Sequence, residues 1–230
     1  MKILLKHSLA YLAALCGTLG MAYGVHADWF YDFQAAPPPS FVTGSGPPSG
    51  TFSSTVDGGV LRVFDTRQPA GGGAFLGGGI ETSVVFADVR LTGTLNPAGT
   101  TDNFVALTRG DLSGNLYSAG IDFAAGVLQV VKVVNGPVKF VLSTDASQGS
   151  QPPLTDLARS YFFQFDVVGN QLTARVFDGE GGTQLLIVNY TDTGVGGPPL
   201  TSGMAGVGAV STGGRVDATF GPIRATAILP

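Results

Sequence analysis

The carboxylates are the first residues in this chain that could do chemistry, and only two of them are glutamates, Glu81 and Glu180. Glycoside hydrolysis needs two carboxyl groups held across a scissile bond. Glu81 is followed by Thr82-Ser83-Val84, so no second acid stands near it. Asp178 and Glu180 lie two apart but among Gly179, Gly181 and Gly182, which is turn chemistry rather than rigid placement. His7, Cys16 and His26 are the only imidazoles and the only thiol, and all three precede residue 28. A chain lacking that segment has no Ser-His-Asp or Cys-His set, and neither imidazole nor thiolate for zinc or copper. Lys132 and Lys139 sit in strand-like runs without Ser-x-x-Lys spacing. Calcium takes oxygen ligands alone, and Asp111, Ser113 and Asn115 place oxygens at alternating positions with no carboxylate following to close a loop. The same residue types are those expected of a plain turn. No cofactor is therefore expected, with calcium at this turn the single cation site to test. Arg109-Gly110-Asp111 spells an integrin-type tripeptide; nothing else in the sequence points that way.

The N-terminus explains why those reactive residues are set apart. Lys2 and Lys6 precede an apolar run from Leu9 to Tyr23, and Val25-His26-Ala27 fits a small-x-small cleavage site. Residues 1–27 read as a secretory signal, and the apolar run is too short and too interrupted by Gly17, Gly20 and Gly24 to span a bilayer well. The expected product is secreted or held at the cell surface, without stable membrane insertion. Removing Lys2 and Lys6 leaves ten basic residues against sixteen acidic ones, a net charge of −6. The basic residues are scattered along the chain, so nucleic acid is not an expected partner. Without cysteine, stability must come from a packed core, and about 200 residues can bury one as a single domain, here 28–230.

The dominant period is two. Val89, Leu91 and Leu95 alternate with polar residues, as do Tyr117 to Phe123, Tyr161 to Val167 and Leu172 to Val176. Each is a strand with one covered face. The continuous apolar runs Val127 to Val134 and Leu185 to Tyr190 predict strands covered on both faces. Asn135-Gly136, Gly169-Asn170 and Asp178-Gly179 mark hairpins. Loops are expected at 35–50, which is rich in Pro and Gly, and at 69–79, 143–153 and 191–203. Only Leu154 to Arg159 suits a short helix. Trp29, Tyr31 and Phe33 alternate as a first strand, which suits a sandwich whose first and last strands are neighbours. About a dozen strands at this spacing make a sandwich or barrel.

Several segments resemble the concanavalin A-like lectin/glucanase superfamily, in its laminin-G-like form. Gly59-Val60-Leu61-Arg62-Val63 followed by Asp65 is similar to its early strand. Asp88 to Leu95 and Asp102-Asn103-Phe104-Val105-Ala106-Leu107 are similar to the next pair. Tyr161 to Leu172, Phe177-Asp178-Gly179 and Val216-Asp217-Ala218-Thr219-Phe220 resemble the central hairpin, the loop after it and the final strand. The resemblance implies an all-β, two-sheet antiparallel jelly-roll sandwich with functional loops at its rim, and relatives that hold calcium there. The acidic Glu-x-Asp-x-x-Glu strand of the family's glucanases has no counterpart in this chain. Polar residues at strand ends near expected loops, namely Asp65, Arg67, Asn103 and Arg109, are the ligand-binding candidates. The function expected is a secreted, non-catalytic, lectin-like domain that binds carbohydrate or another extracellular surface component. The alternatives are a glycoside hydrolase-like enzyme using Glu81 and Glu180, or a structural matrix protein without a small ligand.

Overall fold

A computed structural model describes residues 28–45, 52–65, 75–98, 103–111, 113–123, 125–135, 138–146, 154, 156–211 and 216–228. Arg67 lies outside the described residues, as does the expected signal segment 1–27. Fifteen strands are present among them: β1 Trp29–Tyr31, β2 Phe41–Ser45, β3 Phe52–Asp57, β4 Val60–Asp65, β5 Phe75–Phe86, β6 Val89–Asn96, β7 Asn103–Gly110, β8 Leu116–Asp122, β9 Val127–Val134, β10 Val138–Ala146, β11 Tyr161–Val168, β12 Gln171–Phe177, β13 Gln184–Thr191, β14 Gly203–Ser211 and β15 Asp217–Ala227.

The strands form two antiparallel sheets. The first runs β13-β12-β11-β6-β15-β4-β3, with β1 also paired to β15. The second runs β10-β9-β8-β7-β14-β5-β2. The first and last strands are indeed neighbours: Trp29 stands opposite Ala225. The all-β, two-sheet jelly-roll sandwich that the resemblance implied is the observed architecture.

Alternation explains the layers. β6 and β12 bury every second side chain, which is the pleat showing one face to the core and one to water. The inward faces interlock through aromatic rings. Phe104 of the second sheet meets Phe220 of the first at 6.0 Å between centroids, and Phe220 meets Phe163 at 6.5 Å, both edge to face. Trp29, Tyr31, Phe33 and Phe41 form a second ring cluster, so the aromatic stripe of the first strand faces inward. A smaller apolar group, Val105, Leu107, Leu116 and Val133, lies on the other face of the second sheet.

The structure corrects several expectations. Residues 35–50 contain a strand, β2, because Phe41 is buried and its backbone pairs with β5 opposite Glu81. Residues 69–79 likewise run into β5. Its Gly77-Gly78-Gly79 is not turn material but a place of close backbone approach: a Cβ on Gly78 would lie 2.1 Å from the Val207 carbonyl oxygen of β14. β10 extends through Ala146, into the expected 143–153 loop. The expected Leu154 helix is a pair of turns. The Asp156 carboxylate accepts the Ala158 N–H at 3.1 Å, which offers the backbone an alternative to a helix too short to nucleate. β9 has no exposed residue, with Leu128, Val130 and Lys132 buried inward and Val133 buried on the other face, but β13 is not covered on both faces. β13 is an edge strand whose Asn189 is exposed, and its double burial at Leu185-Leu186 comes from a bulge opposite Val176-Phe177.

Phe220 links both sheets, so Phe220→Ala should cost about 3–5 kcal/mol. Urea unfolding monitored by near-UV circular dichroism would show it as a lower midpoint with an unchanged slope.

Candidate functional site

Lys132 is inconspicuous in the sequence, one lysine inside the run Val127 to Val134. β9 points it inward with Leu128 and Val130, and it is fully buried. An ammonium in that position must be paired, and it is. Its Nζ donates to Asp192 Oδ2 at 2.8 Å, to the Gly197 carbonyl at 2.8 Å and to the Pro198 carbonyl at 2.9 Å. Asp192, equally buried, also accepts the Tyr117 hydroxyl at 2.5 Å and the Gly194 N–H at 2.8 Å. Tyr117 accepts the Leu200 N–H in turn. The connection 192–202 between β13 and β14 is thus tied down along its length by groups rising from the core. Gly196 and Gly197 have φ of +71° and +127°, values that favour glycine, so the loop keeps its carbonyls turned toward Lys132.

A second tie lies beside the first. Arg109, next to last in β7, sits at a bulge, where the register with β14 shifts between Met204 and Gly206, and its own φ is +50°. Bulges re-aim side chains, and here the bulge sends the guanidinium into the rim. It donates to the carbonyls of Ala87 at 2.7 Å, of Gly169 at 2.5 Å and of Leu200 at 2.5 Å, and to Asp88 Oδ1 at 2.9 Å. The β5–β6, β11–β12 and β13–β14 connections therefore meet on one cation. Gly203 permits the crossing: a Cβ there would lie 2.3 Å from the Arg109 carbonyl carbon. Asp88 also accepts the Gly169 N–H, and Asn170 exchanges hydrogen bonds with the backbone of Asp192.

The electrostatics follow the contacts. Burial raises the Tyr117 phenol well above its usual range, helped by its bond to Asp192, so it stays a neutral donor. Burial alone would raise Asp192, but Lys132 and Tyr117 outweigh it and hold the carboxylate below its ordinary value. Burial lowers the Arg109 guanidinium, against the pull of Asp88.

Of the four residues named from the sequence, the three that are described, Asp65, Asn103 and Arg109, are not brought together. Asn103 opens β7 and Arg109 is its last residue but one, at opposite ends of one strand. Asp65 ends β4, also at the end away from the Arg109 rim, since its neighbour Phe64 pairs with the beginning of β15. Arg109 reaches the rim but is enclosed, with four of its five N–H groups bonded to protein oxygens; the tripeptide it begins does not display its arginine. Asp111, Ser113 and Asn115 form a self-contained turn. Asp111 accepts the N–H groups of Ser113 and Asn115 and the Asn115 amide, and Asn115 accepts the Asn135 N–H. A calcium ion there would displace those bonds. Among the described residues no group of three or more His, Cys, Asp or Glu side chains stands together.

Glu81 is buried on β5. It accepts from the Tyr31 and Ser40 hydroxyls and from the Ser83 N–H and hydroxyl. Glu180 is exposed in the β12–β13 turn of the other sheet. The two share no cleft. The cavity between the sheets, lined by Leu95, Phe104, Ile121, Leu128, Phe163 and Phe220, measures about 10 Å³, room for a water at most. The positioning residues missed by sequence reasoning are Lys132, Tyr117, Asp192 and Asp88. Lys132 did carry a signal, a charge at a core-facing position of an apolar strand.

No protein-family model matches the chain, and no curated protein matches it. Solved structures do. A carbohydrate binding module, CBM66 from Bacillus subtilis, is similar at 14% identity and a TM-score of 0.55, over 82% of this chain and 96% of that one. Lectin UEA-II complexed with galactose, from Ulex europaeus, is similar at 10% identity and 0.56, over 88% and 99%. A GH43 protein, BlXynB from Bacillus licheniformis, is similar at 14% and 0.54 over 86% of this chain, which spans 39% of that one. The fold is the two-sheet antiparallel jelly roll that these structures share.

Lys132→Met should destabilise the protein by about 3–5 kcal/mol, because it leaves Asp192 buried and unpaired. Lys132→Met/Asp192→Asn should recover much of that loss. Asp192 contributes stability above the unfolded aspartate value of about 3.9 and loses it as pH falls through its lower folded value. Urea midpoints measured across acid pH should therefore fall more steeply for the native protein than for the double variant.

Proposed function

We propose that the chain is a secreted, non-catalytic, lectin-like domain that binds carbohydrate at the rim formed by the 192–202 loop and its neighbours. The observation that carries this reading is the immobilised loop. Its inner side is held by Lys132, Asp192, Tyr117 and Arg109, while its outer side leaves Thr193 and Val195 exposed next to the exposed Asn170. A loop fixed before binding loses little entropy when a ligand settles on it. Backbone amides, an asparagine and a small apolar tip suit a hydroxylated ring that needs directional polar contacts and one apolar contact. The likeness in fold to lectins and a carbohydrate binding module supports the same reading. The buried Glu81 and its separation from Glu180 favour binding over hydrolysis.

Residues 28–230 should be retained on at least one glycan of a broad array. Val195→Asp and Thr193→Arg should each weaken that binding about five-fold or more, with unchanged melting temperature. Retention on no glycan would overturn the carbohydrate reading; binding that ignores both substitutions would overturn the rim assignment.

A further inference from the structure

The outward face of the first sheet gathers arginines that are scattered in sequence. Strand register aligns Ile187, Arg175, Gln164, Thr92, Arg224 and Phe30 in one row across β13, β12, β11, β6, β15 and β1. The next row carries Asn189, Thr173, Asp166, Arg90 and Thr226. Arg62 on β4 faces the same way, opposite Thr219. Outward positions of β12, β11, β6, β15 and β4 thus hold four guanidiniums and two carboxylates, Asp166 and Asp217, in a chain whose net charge is −4; the edge strand β3 adds Asp57 at its far end.

The arginines are oriented rather than loose. Asp166 grips Arg90 through both oxygens, at 2.8 and 3.0 Å, and also accepts Arg175 at 3.1 Å and the Gln164 amide at 2.7 Å. Those contacts use Nε and Nη2 of Arg90 but only Nη1 of Arg175, so each keeps N–H groups for a ligand. Arg224 lies over the half-exposed Phe30 ring, 5.1 Å from its centroid. Three strand spacings, about 14 Å, separate Arg175 from Arg224.

We propose that this face is a second binding surface, distinct from the rim, for an acidic polysaccharide bearing uronate carboxylates. Guanidinium groups match carboxylates with paired, planar hydrogen bonds. Gln164 and Thr92 stand between Arg175 and Arg224, and Thr173 and Asn189 lie beside Arg175 in the next row; all four are partners for hydroxyls rather than for charge. A ligand with well-spaced carboxylates and many hydroxyls fits that pattern. Nucleic acid, with a phosphate at every unit, would meet Asp166 and Asp217 as repulsion. The Phe30 ring beside Arg224 offers an apolar platform for a sugar face.

Polygalacturonate titrated into residues 28–230 at low ionic strength should bind, weaken as salt is added, and exceed a neutral glucan by about ten-fold or more. Arg175→Ala/Arg224→Ala should lose about ten-fold or more in affinity with an unchanged melting temperature. Arg224→Lys, which keeps the charge and loses the planar fork, should fall between the two. Val195→Asp on the rim should leave polygalacturonate binding intact, which separates this surface from the site proposed above. Four results would each overturn the proposal: undiminished binding by the double variant, equal affinity for the neutral glucan, tighter binding to duplex DNA than to polygalacturonate, or loss of binding in Val195→Asp.

Discussion

One ammonium in the core sets the conditions for the whole rim. Lys132 faces the interior of an apolar sheet, where an unpaired charge would cost far more than the folding of a small domain can supply. It is tolerated because Asp192, Gly197 and Pro198 surround it with oxygen. That requirement runs in both directions. The core is satisfied only if the 192–202 loop folds down over it, and the loop has a defined shape only because the core demands its carbonyls. A buried pair of this kind is a poor source of net stability compared with apolar packing. Its effect here is to select one arrangement of a Gly- and Pro-rich segment that would otherwise have many.

Arg109 repeats the device with three connections instead of one. Its guanidinium is a fixed cation inside a shell of carbonyls and a carboxylate, so the rim is organised by the chain's own side chain. The positive φ at Arg109 is local strain of the sort that persists where surroundings over-determine it, and the surrounding oxygens do so. Rim and sheet face are consequently supported in different ways: the rim by buried charges reaching outward, the face by an ion network lying on the pleat. Asp166 shows the second mode, buried under the two arginines it aligns.

Much of the fold was legible because period two is strong in β6, β8, β11 and β12, and because the Asn-Gly, Gly-Asn and Asp-Gly pairs fall between consecutive strands, β9 and β10, β11 and β12, and β12 and β13. The pairing of Trp29–Tyr31 with β15 was legible too, from an aromatic stripe placed ahead of a long loop. β2 was not, because Phe41-Val42-Thr43-Gly44-Ser45 has no pattern of its own and becomes a strand only by lying against β5. The glycines of β5 misled for a related reason: their role is close approach to β14, which a single sequence does not display. Of the candidate site, polar residues at strand ends pointed to the rim through Arg109 alone. The partners of Lys132 and Arg109 lie 21 to 91 residues away, and local sequence carries no trace of such pairings. The arginine row was hidden likewise, since register, not spacing along the chain, creates it.

The pairing of β1 with β15 has a mechanical consequence. Asp28 accepts the Ala227 N–H at 2.9 Å, so both described extremities of the domain leave from one point on one sheet. Tension applied through flanking segments would pull those two strands apart from their shared end, opening hydrogen bonds one after another instead of loading them all at once. Under load the domain would peel, surrendering its first strand at low force while the rim tied by Lys132 and Arg109 stayed closed.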